Sequence, residues 1–187
     1  MELKTTYFEK PGRENTDEVL RIAKQRAEEL GIKTIVVAST EGYTAAKAAE
    51  VLSGSKIVAV THITGFHEPN TQEFSEESRK IVEGKGGVVL TTTHLFSGMS
   101  RAMCKKYHTY IIGDIVADTL RILGQGMKVV CEIAAMAADS GLVRTDEDVI
   151  VISGTGRGAD TAVVLKPVNS TDFFDLKIKE VLCKPHF

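Results

Sequence analysis

Two periodicities divide this chain. From residue 15 to residue 31 the spacing is helical: Val19, Ala23, Ala27 and Leu30 share one face, and Arg21, Lys24, Gln25 and Glu28 share the other. Asn15, with Glu18 three residues on, offers an N-terminal cap, and Gly31 offers the C-terminal one. Residues 34–38, 56–61 and 87–91 read differently. They are short, apolar and β-branched without alternation, as expected of parallel strands covered on both faces. Helical stretches separate them. One runs over 43–52, with Ala45, Ala48, Ala49 and Leu52 on one face. Another runs over 75–83, acidic early and with Lys80 late, which suits the helix dipole.

The middle of the chain is expected to be helical over 111–123 and 127–140, divided by Gly124-Gln125-Gly126 and closed by Gly141. Ile112, Ile115, Val116, Thr119 and Leu123 form one stripe; Val130, Ile133, Ala134 and Ala137 form the next. Residues 149–152 and 161–165 are two further buried strands. The Gly-rich loop between them, Ser153 to Asp160, is too short for a crossover helix, so the last strand must run antiparallel to its predecessor. Residues 5–8 and 174–181 read as peripheral strands or arms. The pattern predicts a three-layer αβα domain over 1–187 with a mostly parallel sheet and one antiparallel strand, free of repeats and linkers.

Composition narrows the function. A length of 187 residues with 43% hydrophobic content suits one core, and 23 Lys plus Arg against 25 Asp plus Glu gives −2, no general attraction to nucleic acid or an anionic membrane. Trp is absent and aromatics are 6%, so a stacking platform for single-stranded nucleic acid is not expected. No apolar run approaches the roughly 20 residues of a membrane span, and residues 1–4 lack a secretory signal's hydrophobic stretch, so the expected location is cytoplasmic. Cys104, Cys131 and Cys183 are odd in number and widely spaced; buried thiols are the expected role. Met99, Met103, Met127 and Met136 are expected in helix packing.

Ligands of open α/β sheets sit outside the carboxyl ends of the strands. Here those ends are polar: Ser39, Thr40, Glu41, Gly42, Tyr43 and Thr44 after the first strand, Thr61 and His62 after the second, Thr92, Thr93 and His94 after the third, and Gly154, Thr155, Gly156, Arg157 and Gly158 after the fourth. Hydroxyls, glycine-exposed amides and a helix N-terminus are what a phosphate requires, although capping of the helix alone would also explain Ser39 and Thr40. Gly154-x-Gly156-x-x-Ala159 matches a dinucleotide fingerprint only formally, since a strand rather than a helix follows it. A hairpin turn accounts for one or two of these glycines; three with Arg157 point to a loop that also approaches an anion. There is neither a Walker A sequence nor a nucleophile elbow. His62, His67, His94 and Glu68 cluster near the same ends without metal-ligand spacing, so no metal is expected. His62 and His94 suit stacking or hydrogen bonding to a bound ring, or are loop histidines in solvent. The segment 61–75, with Phe66, His67 and Pro69, is long for a connection and is expected to cover the ligand and supply an aromatic wall.

Residues 35–45, Ile-Val-Val-Ala-Ser-Thr-Glu-Gly-Tyr-Thr-Ala, resemble the strand, phosphate loop and helix start of the pyruvate kinase C-terminal domain, and 153–162 resemble its second effector-binding loop. Over nearly the whole chain, Tyr7 to Gly12, Gly126 to Val129, Met136 to Gly141 and Arg157 to Ala162 are similar to a stand-alone archaeal family of pyruvate kinase α/β-like domains. The resemblance implies bound flavin mononucleotide, its phosphate at the Ser39 to Thr44 loop and its ring among the other strand ends. It also implies subunit contacts, so self-association is expected. Pyruvate kinase keeps its catalytic lysine, metal carboxylates and substrate site on a separate barrel, which 187 residues cannot also encode, and its activity is not expected here. The leading expectation is binding of a phosphorylated cofactor, with no catalytic residue identified. A sugar-phosphate enzyme or sensor is the alternative, and a scaffold with a vestigial pocket is a third.

Overall fold

Val, Ile and Ala fill the central strands because neither face of those strands meets water. In the computed structural model, which describes residues 2–186, the elements run β1 (Thr6–Phe8), α1 (Thr16–Leu30), β2 (Thr34–Ala38), α2 (Tyr43–Val51), β3 (Lys56–Val60), α3 (Glu76–Gly84), β4 (Val88–Leu90), α4 (Gly98–Tyr107), α5 (Ile112–Arg121), α6 (Gln125–Asp139), β5 (Val149–Ser153), β6 (Thr161–Lys166) and β7 (Lys177–Pro185). Short 3-10 turns at Arg13–Asn15 and Ser170–Asp175 precede α1 and β7. Met1 and Phe187, the ends of the expected domain, lie outside the described residues.

The seven strands form one sheet in the order β1-β7-β6-β5-β2-β3-β4. β6 is antiparallel to both neighbours, β5 and β7, and every other pairing is parallel. Alternation along each strand sorts the core into two. Ile35, Val37, Ile57, Ala59, Ile150 and Ile152 pack with α1, α2 and α3. Val36, Val58, Val151 and Val163 face the opposite way, against Met127, Val130, Ala134 and Ala137 of α6. The fold is thus the expected three-layer α/β domain. Because the helices that feed parallel strands run back against them, α1, α2 and α6 begin at the edge where β2, β3 and β5 end. Among the described residues no helix is long and apolar enough to cross a membrane.

Several local expectations are corrected. Asn15 makes no side-chain cap to α1; its Nδ2 donates to Lys10 O at 2.8 Å, because the 3-10 turn holds it in helical backbone geometry and turns the side chain back. Leu20, not Leu30, completes the buried face of α1, since Leu30 is in the last turn and exposed. Gly31 does close the helix in a left-handed conformation. Residues 98–107 form α4, which the hydrophobic pattern did not mark because its moderate amphipathicity is interrupted by charged residues. The stripe Ile112, Ile115 and Leu123 is exposed; α5 turns Ala117 inward instead. Met99 and Cys104 sit on the open side of α4, whereas Met127, Met136, Cys131 and Cys183 are buried as expected. The final strand begins at Lys177 and continues to Pro185, later than the expected 174–181.

Candidate functional site

At the carboxyl edge of the sheet a cleft of about 330 Å³ opens between the start of α2, the loop after β5 and the first turns of α6. Ser39, Thr40, Glu41, Tyr43, Thr44, Thr61, His62, His94, Gly154, Gly156, Arg157 and Gly158 line it, as expected from their strand ends. Gly42, Thr92, Thr93 and Thr155 do not. Gly42 is needed for packing: its φ is +106°, and a Cβ would lie 2.2 Å from Ser78 Cβ. Thr93 points out beside Gly98, and Thr155 Oγ1 is buried within its own loop with no hydrogen-bond partner among the described residues.

On the β5–β2 side the cleft is cationic. The Arg13 guanidinium lies 3.7 Å from the centroid of the Tyr43 ring and has no ion pair among the described residues. Its hydrogen bond to the Tyr43 hydroxyl, with a second from Lys47, holds that group below the usual phenol range. Arg157 pairs with Glu41 at 2.7 Å, but both side chains are more than half exposed, so the pair contributes only about 0–1 kcal/mol. Ser39 Oγ accepts from Ala45 N–H at 3.2 Å and therefore serves the helix; the earlier amides of the first turn have no helical acceptor. Thr44 is 3% exposed, lines the cleft and has no hydrogen bond from its hydroxyl among the described residues. No acidic residue occupies the first turn of α2 or of α6, so the positive ends of both helix dipoles are uncompensated there.

The β5–β6 loop is held by Asp160, fully buried. Its Oδ2 accepts from Gly12 N–H (3.2 Å) and Thr155 N–H (2.9 Å), and Oδ1 accepts from Thr161 Oγ1 (2.8 Å). Gly158, at φ +79°, comes so close that a Cβ would sit 2.4 Å from Arg13 Cα. The loop thereby positions Arg13.

On the β3–β4 side the lining is aromatic. Phe66 stacks on His62 with centroids 4.0 Å apart and planes at 29°, and Arg101, from α4, lies 3.9 Å from the Phe66 centroid. His62 Nδ1 is 2.8 Å from Glu73 Oε2 and its Nε2 is 3.4 Å from Thr40 Oγ1. His94 accepts from Ile63 N–H at Nε2 (3.3 Å), which leaves the proton on Nδ1 beside Ser97 Oγ (3.4 Å). Burial, with smaller contributions from nearby positive charge, depresses His94 to about 4, so it is neutral at pH 7. The floor is the ion pair of Lys128 with Glu132 on α6, both buried, with Glu132 Oε1 also accepting Phe96 N–H at 3.1 Å. Of these, Arg13, Arg101, Lys128 and Glu132 were missed. Each sits on a helix or turn away from the strand ends, so strand-end reasoning had no means of finding them.

Comparison with known proteins places this geometry in a family. Residues 17–165 match the model of the pyruvate kinase, alpha/beta domain. Solved structures of pyruvate kinase from Cryptosporidium parvum are similar to 85% of the chain at 13% identity and a TM-score of 0.44, to 82% at 13% identity and 0.42 in a second structure, and to 82% at 14% identity and 0.40 in a complex with ADP. The chain spans 23% of the length of each of these proteins. With a matched span that runs from the start of α1 into β6, the chain belongs to the pyruvate kinase alpha/beta domain family.

Proposed function

We propose that the cleft binds a phosphorylated small molecule, and that flavin mononucleotide is the ligand its two sides suit best. The observation that carries this is Thr44: a residue only 3% exposed whose hydroxyl has no hydrogen-bond partner among the described residues, beside the free amides that begin α2, with the Arg13 guanidinium, without an ion pair among the described residues, over the neighbouring Tyr43 ring. A phosphate group satisfies all three at once. Arg157 can add a charge-assisted bond by leaving its weak surface pair with Glu41. The His62–Phe66 pair and the Arg101 guanidinium offer flat, polarizable surfaces to a ring system, and the neutral His94 can donate from Nδ1. The donor set therefore fits the cofactor implied by the resemblance to the stand-alone archaeal family. When bound, the flavin would supply hydride or single-electron transfer at its ring, while these residues bind it, orient it and shield one side from water. The role is one of binding, without pyruvate kinase chemistry, in the cytoplasm.

The experiment is purification followed by flavin absorbance and native mass spectrometry, then thermal unfolding with added ligands. A retained flavin, or a melting temperature raised by flavin mononucleotide more than by riboflavin, supports the reading. Stabilisation by sugar phosphates but not by the flavin would transfer the site to a sugar-phosphate enzyme or sensor. No response to either would leave a scaffold. A pyruvate kinase assay should give no turnover.

Self-association belongs to the same reading. Ile112, Ile115 and Ile122 recur on one side of the α5 region at 69%, 58% and 80% exposure, an apolar row that a second copy would cover. Sedimentation at micromolar concentration should give an oligomer, and Ile115→Lys should return it to a monomer. A monomeric parent protein would remove this part of the proposal.

A further inference from the structure

Outside the phosphate side of the cleft, one carboxylate has unusual company. Glu73, on the segment between β3 and α3, has a side chain only 18% exposed, and its only ionic partners among the described residues are two imidazoles. Oε2 lies 2.8 Å from His62 Nδ1 and Oε1 lies 3.7 Å from His67 Nε2. One ligand atom from each of the three residues falls within 4.8 Å of the others. Sequence spacing concealed this set, because the acidic member is Glu73 rather than Glu68 and the loop, not a helix, brings it round.

We propose that His62, His67 and Glu73 form a binding site for a divalent transition-metal cation, zinc foremost, at the mouth of the cleft. Zinc bonds of about 2.0–2.2 Å to nitrogen and oxygen put neighbouring tetrahedral ligands on the order of 3.4 Å apart. The two distances to Glu73, 2.8 and 3.7 Å, straddle that value, and all three ligand atoms lie within 4.8 Å of one another, so closure around an ion asks mainly for movement of the exposed His67 side chain. Two imidazoles and one carboxylate favour a transition metal over magnesium or calcium, which prefer oxygen alone.

The surroundings support the ligand geometry. Thr40 Oγ1, 3.4 Å from His62 Nε2, can accept the proton there and so turn the Nδ1 lone pair toward Glu73, the tautomer a cation requires. Phe66 stacks on His62 and meets His67 edge-on at 4.8 Å, which fixes both rings and lines one side with carbon. Three protein ligands leave a coordination position, and His62 and Phe66 themselves line the cleft, so a ligand oxygen there can complete the shell. Thr40 then links the metal to the phosphate side.

The test is titration of chelator-treated, full-length protein with Co²⁺, read by visible absorption, followed by competition with Zn²⁺. One equivalent should bind saturably, with the intense bands of four- or five-coordinate cobalt, and zinc should displace it. His67→Ala and Glu73→Gln should each weaken cobalt binding by at least about tenfold with circular dichroism unchanged. His67 has a side chain 64% exposed, so its removal does not threaten the fold. Failure to take up either ion saturably at millimolar concentration overturns the proposal. So does uptake that is equal in the parent and both variants, since the ion would then be held elsewhere. The outcome is separable from the phosphate reading, because metal uptake without flavin binding sinks only the latter.

Discussion

Asp160, in the loop after β5, accepts a hydrogen bond from the backbone N–H of Gly12, 148 residues earlier, at 3.2 Å. One buried carboxylate thereby ties the chain before α1 to the loop between β5 and β6, and sets Arg13 at the edge of the cleft. The same carboxylate satisfies Thr155 N–H and Thr161 Oγ1.

Asp160→Ala should therefore be among the more destabilising single changes in this chain. It leaves three donors without their acceptor, the Thr161 hydroxyl buried and the Gly12 and Thr155 amides half-buried, and bonds to a charged group are worth about 1.5–3 kcal/mol each in favourable cases, not additively. A loss of about 3 kcal/mol or more in urea unfolding is expected. A loss below about 0.5 kcal/mol, the level of an ordinary surface change, would mean that water takes over these bonds.

The loop glycines should separate by what lies around them. Gly156 (φ +84°) and Gly158 (φ +79°) share the left-handed conformation, which costs other residues about 1–2 kcal/mol, but only Gly158 is in close contact with Arg13. Gly156→Ala should cost about that strain alone. Gly158→Ala should cost more and should also weaken phosphate-ligand binding by displacing Arg13. Equal effects of the two on stability and affinity would refute this division.

Thr40→Val with Thr44→Val should weaken flavin mononucleotide by about a hundredfold, given roughly 1.5–3 kcal/mol for a charge-assisted bond and 1.4 kcal/mol per decade. Riboflavin, lacking the phosphate, should bind the parent and the variant almost equally. Parallel losses for both ligands would move the phosphate to the 154–158 loop.

His94 should remain neutral until the pH approaches about 4, against an ordinary value of 6.5. The unfolded chain takes up its proton first as pH falls, so this residue begins to destabilise the fold below about 6.5 and has done so fully below about 4; above 6.5 it contributes no pH dependence. The ring proton's chemical shift, followed by NMR across that window, reports the folded value directly. His94→Gln should flatten the same part of the stability profile, and a midpoint near 6.5 in the folded protein would contradict the assignment.

The strands were legible in sequence because burial on both faces leaves only β-branched and small apolar residues at 35–38, 57–60 and 149–152, and the antiparallel β6 followed from a loop too short to cross over. The polar strand ends were equally legible, since their place at the carboxyl edge follows from the topology of an open sheet. Other features needed the tertiary structure. Which apolar face of α5 turns inward depends on what α6 offers it, and the stripe Ile112, Ile115 and Leu123 is indistinguishable from a core face until the packing is known. Arg13 and Arg101 enter the cleft from a turn and a helix that strand order says nothing about. Glu73 meets His62 and His67 only through the path of the intervening loop. Local periodicity reports the environment of an element's own faces. The meeting of side chains distant along the chain is decided by how the elements close on one another, and the sequence spacing of those residues carries no record of it.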